Sequence, residues 1–389
     1  MARCVPIAAV DIAKLAEFAA AEAIDLTFVG PEAPLALGIV DEFERRGLTI
    51  VGPSRTAAQL EASKGFAKDF MTRHAIPTAN YKVARSADDA VDILRSDEFG
   101  DADAAVVIKA DGLAAGKGVV VAPNRSVAED AVLELTNGSI VDDKAAERIV
   151  IEEALRGREA SLLLFADGRN FVLMPAARDH KRICEGDTGP NTGGMGAVTD
   201  QSVLSAEILS RVTREIVEPT LAGAHAEGFS FRGVLFIGLM LTSEGPKVLE
   251  YNVRFGDPET QAILVRLQTD LVDIFEAMAR GRLADVNVEW SPKSSVCVVL
   301  ASSGYPGKSE TGAIIRGLDR AVEGVEVFHA ATARSEIGDW LTAGGRVLGV
   351  TAIGETLAKA LDRSYQRIAM IEWEGMQYRR DIGKVQTAT

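Results

Sequence analysis

Between residues 11 and 23 the apolar positions Ile12, Leu15, Ala16, Phe18 and Ala19 recur at helical spacing, and residues 25–29 then read as a short strand stopped by Gly30-Pro31. The same rhythm continues with a helix over 38–46, a strand over 48–51 closed by Gly52-Pro53, and a helix over 54–74. Strands alternating with helices in this order predict a parallel sheet. The opening residues 4–10 read as the end of a strand with nothing before it to pair with. A parallel sheet would want an earlier strand and crossover, roughly 30 residues or more.

Further on, strands over 104–109 and 119–122 flank a glycine-rich loop, and strands over 149–153 and 160–165 follow. A loop rich in Gly, Thr and Asn spans 187–196, a long helix 205–227, and two strands 233–241 and 247–253. From residue 294 a tail has its own strands, 295–300 and 347–352, and a helix over 356–368. The pattern predicts an α/β and α+β multidomain chain with an incomplete N-terminal α/β domain (1–60), a central domain (61–285) and a C-terminal domain (286–389). No internal repeat or low-complexity linker interrupts it.

Composition narrows the function classes. With 47% hydrophobic and 25% charged residues the chain has the balance of a soluble globular protein. A formal net charge of -14 repels nucleic acid and anionic membranes, so any phosphate must be held by local charge. The 3 cysteines, Cys4, Cys184 and Cys297, are odd in number and widely spaced, which supports neither a disulfide framework nor a zinc site. The longest apolar run, from Val234 to Leu241 with one glycine, is far short of the about 18 residues of a membrane span. No signal for export stands out. A cytoplasmic protein acting on small molecules, without nucleic acid or membrane partners, is expected.

The candidate chemistry begins at Lys109-Ala110-Asp111-Gly112-Leu113-Ala114-Ala115-Gly116-Lys117-Gly118, whose glycines leave main-chain amides free to wrap an anion. It is not a Walker A loop, because Gly118 follows the lysine and a strand comes next, nor a dinucleotide fingerprint, which needs a strand-to-helix turn. A plain hairpin is the bland alternative; Lys109 and Lys117 favour phosphate. Glu250 and Asn252 stand at i and i+2 on a strand, so both hard oxygen donors project from one face and could share a cation such as magnesium. Alone they would read as a solvent-facing polar pair. The turn Arg254-Phe255-Gly256-Asp257-Pro258-Glu259-Thr260-Gln261 changes that reading, with Asp257 expected as an N-cap, Pro258 at the first helical position, and Arg254 beside a helix start suited to a carboxylate or phosphate.

These segments, together with Ile151-Glu152-Glu153, Asp179-His180-Lys181-Arg182 and Asp187-Thr188-Gly189-Pro190-Asn191-Thr192-Gly193-Gly194-Met195-Gly196, resemble the phosphoribosylamine-glycine ligase family and occur in family order. The likeness runs from Asp11 to Gly383 and includes Val29-Gly30-Pro31-Glu32-Ala33-Pro34 and Gly344-Gly345-Arg346-Val347-Leu348. It implies an ATP-grasp fold, with a truncated Rossmann-like domain before it and a small C-terminal domain after it. The resemblance implies that Lys64 and Lys109, with Gly116, Lys117 and Gly118 of the loop, contact ATP phosphates. Glu152, Glu153, Ala154 and Leu155 would form the adenine hinge, Glu159 would hold the ribose hydroxyls, and Glu250 and Asn252 would bind Mg2+ or Mn2+. Arg254, Asp257, Glu259, Asp179, Lys181 and the loop of Thr192, Gly193 and Gly194 would face glycine and the phosphoribosylamine. The departure is at the start, where the family has a strand and a glycine-rich loop with Arg-Glu-His. Met1 is therefore expected to be an internal methionine, with a natural start about 40 residues earlier.

The reaction so implied runs from ATP and glycine through a glycyl phosphate to glycinamide ribonucleotide, and it asks the protein for alignment and charge neutralisation rather than a nucleophile. Of the 4 histidines, His74, His225 and His329 read as structural or surface residues, while His180 is placed near substrate. Cys184 reads as a packing residue. Two other readings remain open: an ATP-grasp ligase of nucleotide metabolism acting on a different carboxylate, and a nucleotide-binding protein without turnover. A monomer or weak dimer is expected.

Overall fold

The computed structural model describes residues 3–96, 98–114, 118–137 and 145–384. Helix α1 (Ile12–Ala21) starts where the Asp11 carboxylate accepts the Lys14 amide, and it buries Ala16 and Ala19. Strand β1 (Thr27–Phe28), helices α2 (Glu32–Leu37) and α3 (Ile39–Arg45), and strand β2 (Ile50–Val51) follow. The one helix expected over 38–46 is thus preceded by another, and Gly38 at φ 89° turns the corner between them. β1 and β2 pair parallel. Residues 4–10 form no strand: Ile7 N donates to Val5 O and Asp11 N to Ala8 O, and among the described residues no strand lies beside them to complete a ladder.

The helix expected over 54–74 is two helices, α4 (Gln59–Ala62) and α5 (Lys64–Arg73). Ser63 breaks it by adopting an extended conformation (φ -139°), and its hydroxyl accepts the Phe66 amide at 3.1 Å to cap α5. Lys64 is placed by that break at the first position of a new helix.

Strand β3 (Tyr81–Ala84), α6 (Ala87–Arg95), β4 (Val106–Ala110), β5 (Val119–Ala122), α7 (Arg125–Thr136) and β6 (Ile149–Glu153) build a four-stranded antiparallel sheet in the order β3-β6-β4-β5. Ile108, Ile149 and Ile151 pack with Val132 and Leu135 of α7 in one apolar cluster. Because side chains alternate across a strand, burying Ile108 and Ile151 beneath the helices sends Lys109 and Glu152 to the opposite face.

The larger half begins with β7 (Arg158–Asp167), β8 (Phe171–Leu173), β9 (Ala177–Asp179), β10 (Arg182–Cys184), β11 (Thr188–Asn191) and β12 (Gly196–Thr199). The loop expected over 187–196 thus contains a strand, paired with β10 as a hairpin. Helices α8 (Ala206–Val212) and α9 (Glu218–Ala226) are joined through a π turn at Thr213–Val217. Pro219 lies just beyond it, and its missing N–H accounts for the widened turn. Strands β13 (Arg232–Thr242) and β14 (Gly245–Asn252) are antiparallel, with a shift at Gly238/Leu239 that sets Leu249 outside the regular ladder. Helices α10 (Glu259–Leu264) and α11 (Leu271–Ala279) follow.

The tail supplies β15 (Ser294–Ala301), β16 (Val325–His329), β17 (Thr332–Arg334), β18 (Trp340–Thr342), β19 (Arg346–Gly354) and α12 (Leu357–Ile368). β12 pairs with β15, so the large sheet, β14-β13-β7-β9-β12-β15-β19-β16 with β8 on β7, runs through the boundary expected near residue 286. Among the described residues no helix is long and apolar enough to cross a membrane.

Candidate active site

The face of the four-stranded sheet that α6 and α7 leave open carries a buried charge cluster. Lys109 Nζ lies 2.8 Å from Glu152 Oε1 and donates to Leu249 O at 3.1 Å. Lys68 Nζ lies 2.8 Å from Glu152 Oε2 and donates to the Thr78 hydroxyl at 2.7 Å. The side chains of Lys68 and Glu152 are each 2% exposed, so two ammonium groups share one carboxylate with little water to help. Burial pushes Lys68 down to about 8 even though Glu152 supports its charge. An uncompensated positive charge in such a place is costly, and a polyanion would relieve it. Lys68 went unread in the sequence, although it stands one helical turn after Lys64 on the same side of α5, a spacing that could have drawn notice.

Lys64, at the start of α5, donates to Ala110 O at 2.8 Å and Gly112 O at 3.0 Å, which pins it to the end of β4. Burial lowers its pKa. Asp111 completes this staple by accepting the Gly65 amide at 2.6 Å and the Ser63 hydroxyl at 3.0 Å, and by pairing with Arg148. Gly118 O closes the far side of the loop by accepting the Ala110 amide at 2.8 Å. Gly116 and Lys117 lie outside the described residues.

The expected hinge differs in detail. The Glu152 carboxylate is committed to two lysines, and Glu153 accepts the Asn80 main-chain and side-chain N–H groups at 3.0 and 3.2 Å. Ala154 and Leu155, in the connection to β7, are half-buried and leave the strand ladder. Glu159 Oε2 meets Lys181 Nζ at 2.9 Å.

Across from the lysines, Glu250 and Asn252 project from one face at the end of β14. Burial disfavours the Glu250 carboxylate, but Lys181, Lys109, Lys64 and Arg254 outweigh it and hold its pKa below the ordinary value. Asn252 Oδ1 accepts from Arg254 at 3.4 Å. An anionic carboxylate two residues from an amide oxygen suits a hard divalent cation that takes its remaining ligands from water and phosphate. Among the described residues no group of three or more His, Cys, Asp or Glu side chains is arranged around a metal position.

Beyond this pair, Arg254 reaches the N-terminal segment, 3.1 Å from Glu61 and 3.4 Å from Glu32. Asp179 on β9 and Glu259 on α10 are close enough to disturb one another. Burial raises the Asp179 carboxyl although Lys181 pulls the other way, and burial beside Asp179 pushes Glu259 up to about 8. Lys181 is held well above the usual ammonium range by Asp179, with Glu159 and Glu250 adding to it. Glu259 is 4% exposed, and the Ser161 hydroxyl is 3.4 Å from its Oε1.

The turn after Arg254 corrects the cap expected there. Pro258, not Asp257, stands at the N-cap of α10, with no side-chain cap, and α10 has only six residues. Asp257 turns outward: its Oδ1 accepts from Gln261 at 2.9 Å and its Oδ2 lies 3.0 Å from Arg346. Thr192 and Gly194 are fixed by the Thr192 hydroxyl, which donates to Lys181 O at 2.8 Å and accepts the Gly194 amide at 2.9 Å. Gly193 meets the C-terminal segment, donating its amide to the Tyr305 hydroxyl at 2.9 Å. Arg346 and Tyr305 had no assigned role in the sequence, since their partners are more than a hundred positions from them along the chain in Gly193.

His180 is buried away from open space. Its Nε2 accepts the Gly383 amide at 3.0 Å, and its Nδ1 lies 3.7 Å from Asp187, so it fastens the end of the fold. Cys184 is exposed, not packed, because β10 is part of a surface hairpin.

Comparison with known proteins adds to this geometry. Residues 1–61, 62–260 and 295–385 match the N domain, the ATP-grasp (A) domain and the C domain of phosphoribosylglycinamide synthetase. The phosphoribosylamine–glycine ligase of Xanthomonas axonopodis pv. citri is 48% identical over 374 residues, covering 96% of this chain and 85% of the relative. That of Vibrio cholerae is 48% identical over 375 residues, covering 96% and 86%. Among solved structures, the phosphoribosylamine–glycine ligase of Thermotoga maritima superposes with a TM-score of 0.77 at 37% identity, covering 85% of this chain and 81% of that one. The biotin carboxylase domain of Hydrogenobacter thermophilus 2-oxoglutarate carboxylase, with MgADP, shares the fold at a TM-score of 0.70 and 16% identity, covering 95% and 79%.

Proposed function

The chain belongs to the phosphoribosylglycinamide synthetase family, and from that premise we propose how its cleft carries out the ligation of glycine to 5-phosphoribosylamine. It is an ATP-dependent ligase of purine biosynthesis with the ATP-grasp fold, using ATP and a divalent cation.

In our reading the triphosphate lies between the lysines of the small sheet and Glu250 of the large one. Lys109 and Lys64 neutralise phosphate oxygens, Gly116, Lys117 and Gly118 are assigned as further nucleotide contacts, and residues 152–155 receive the adenine chiefly through Ala154 and Leu155. Glu159 takes the ribose. Glu250 and Asn252 hold magnesium or manganese, which supplies charge neutralisation at the transferring phosphoryl group. Asp179, Lys181, Arg254, Asp257, Glu259 and the loop of Thr192, Gly193 and Gly194 enclose the other two substrates. A glycine carboxylate oxygen bonds to the γ-phosphorus as the bond to ADP breaks. The amine nitrogen of phosphoribosylamine then bonds to the glycyl carbon, phosphate leaves, and the nitrogen gives up a proton. With the reactants aligned, no protein nucleophile is required.

The observation that carries this reading is the Lys109 ammonium, which lies 2.8 Å from Glu152 and donates at 3.1 Å to the main-chain oxygen of Leu249, the residue next to Glu250, with Lys64, Lys181 and Arg254 also holding the Glu250 carboxylate below its ordinary pKa. Three domains, 1–60, 61–285 and 286–389, a cytoplasmic location, small-molecule partners only, and a monomer or weak dimer complete it. The free state of Cys4, Cys184 and Cys297 is consistent with a reducing compartment. The test is ADP release with ATP and magnesium while each other substrate is omitted in turn. ADP should form only with glycine and phosphoribosylamine together, and glycinamide ribonucleotide should accumulate with it. Equal ADP release when bicarbonate or formate replaces glycine would point to a different carboxylate, and ATP binding without ADP formation to a nucleotide-binding protein without turnover.

A further inference from the structure

Arg346, the first residue of β19, lies outside the segment that carries the lysines and Glu250, yet its guanidinium reaches the 192–194 loop and the Asp257–Pro258 turn. It donates to Gly193 O at 2.6 Å and to Asp257 O at 2.7 Å, and it pairs with the Asp257 carboxylate at 3.0 Å. Three acceptors in two separate backbone segments suit a planar fork of five N–H donors and no other side chain. The fit is close: a Cβ on Gly193 would stand 3.0 Å from Arg346 Cζ, and one on Gly194 (φ 110°) only 2.4 Å from Pro258 Cδ. The loop, the turn and the guanidinium are therefore packed as one unit, and the Tyr305 hydroxyl holds the Gly193 amide from the other side.

We propose that Arg346 is a positioning residue for the glycine and phosphoribosylamine end of the site: by tying the 192–194 loop to the Asp257–Pro258 turn it sets the shape of that end and leaves the nucleotide end alone. This rests on the functional reading above, in which the loop and turn face those substrates. Its side-chain hydrogen bonds among the described residues go to Gly193 and Asp257, and the lysine cluster around Glu152 is held by a separate set of contacts. The C-terminal segment is thereby part of the substrate site rather than a separate module attached to it.

The experiment compares the full chain with Arg346→Met and Arg346→Lys, varying glycine at saturating ATP and ATP at saturating glycine. Losing charged hydrogen bonds that shape a site should raise the KM for glycine by about ten- to a hundredfold in the methionine variant. Lysine, with charge but no fork, should recover part of that loss. The KM for ATP should stay within about twofold of the parent value, as expected for groups that share no partner. Asp257→Asn combined with Arg346→Met should cost less than the sum of the two single changes, because the Arg346–Asp257 ion pair is lost in both. A glycine KM that does not move, or an ATP KM that rises in parallel, overturns the proposal. If the methionine variant does not fold, Arg346→Gln, which keeps two N–H donors, is measured in its place by the same pair of KM values. If the parent chain itself releases no ADP with both substrates, the functional reading fails first and takes this inference with it. A parent that is active while its Arg346 variants keep the glycine KM removes this inference alone.

Discussion

The Lys109 ammonium donates to the main-chain oxygen of Leu249 at 3.1 Å, joining the four-stranded sheet to the edge strand of the large one. Leu249 is the residue that the register shift leaves outside the β13–β14 ladder, and it immediately precedes Glu250. An irregularity in one sheet therefore presents the acceptor that brings a lysine of the other to the proposed metal position. An ammonium has three donors; Leu249 O takes one in a hydrogen bond while Glu152 pairs with the charge, which leaves donor capacity for a phosphate oxygen.

Lys109→Met should lower kcat/KM for ATP by about a hundred- to a thousandfold, the scale of removing one electrostatic donor to a transferring group. Lys68→Met, which removes contacts to Glu152 and Thr78 rather than one to the nucleotide, should cost about tenfold, within the range of one charged hydrogen bond. Its loss of stability should fall short of the about 3–5 kcal/mol for orphaning a buried charge, since Lys109 still pairs with Glu152. Steady-state ADP release and thermal melting of both variants measure this. A Lys68 variant as damaged as the Lys109 variant would mean that Lys68 touches the nucleotide itself.

Glu250→Gln keeps the shape and one oxygen but removes the charge that Lys181, Lys109, Lys64 and Arg254 stabilise. Magnesium recruited through a carboxylate should then be held less tightly. The magnesium concentration for half-maximal activity should rise at least about tenfold, one power of ten for about 1.4 kcal/mol of lost interaction. Titrating magnesium at fixed ATP reads it directly, and an unshifted midpoint would remove Glu250 from the metal site.

Much of this site was legible because strand alternation needs only neighbouring residues: Glu250 and Asn252 share a face, and Lys109 stands at a strand end. Other features depend on partners far along the chain. The helix over 54–74 looked continuous because its apolar spacing is, and contact with Asp111 explains why Ser63 leaves it and a new helix starts at Lys64. Asp257-Pro258 has the form of a capped helix start, but Arg346, 89 residues away, takes the Asp257 carboxylate. Residues 4–10 have apolar side chains suited to a strand, yet a strand is a relation between two segments. The buried lysine at position 68 defies the expectation that lysines are exposed, because Glu152 and Thr78 meet it inside.

Glu61 gives the clearest dependence on pH. It is 8% exposed, its Oε2 accepts the Val253 amide at 2.7 Å, and its Oε1 lies 3.1 Å from Arg254. Burial raises its pKa from 4.5 to about 7, more than Arg254 and the Val253 amide can offset. The folded chain thus holds this proton more tightly than the unfolded one. The resulting stabilisation is complete below about pH 4.5, fades as pH rises, and is gone above about pH 7. At about 1.4 kcal/mol per pH unit the full span is about 3 kcal/mol. Glu61→Gln, which cannot ionise, should therefore gain on the parent by about that amount between pH 4.5 and 8. Urea unfolding of both proteins at intervals across this range measures the gap. A gap that stays constant would mean that Arg254 keeps Glu61 charged throughout, and that the N-terminal segment is joined to the cleft by an ordinary ion pair.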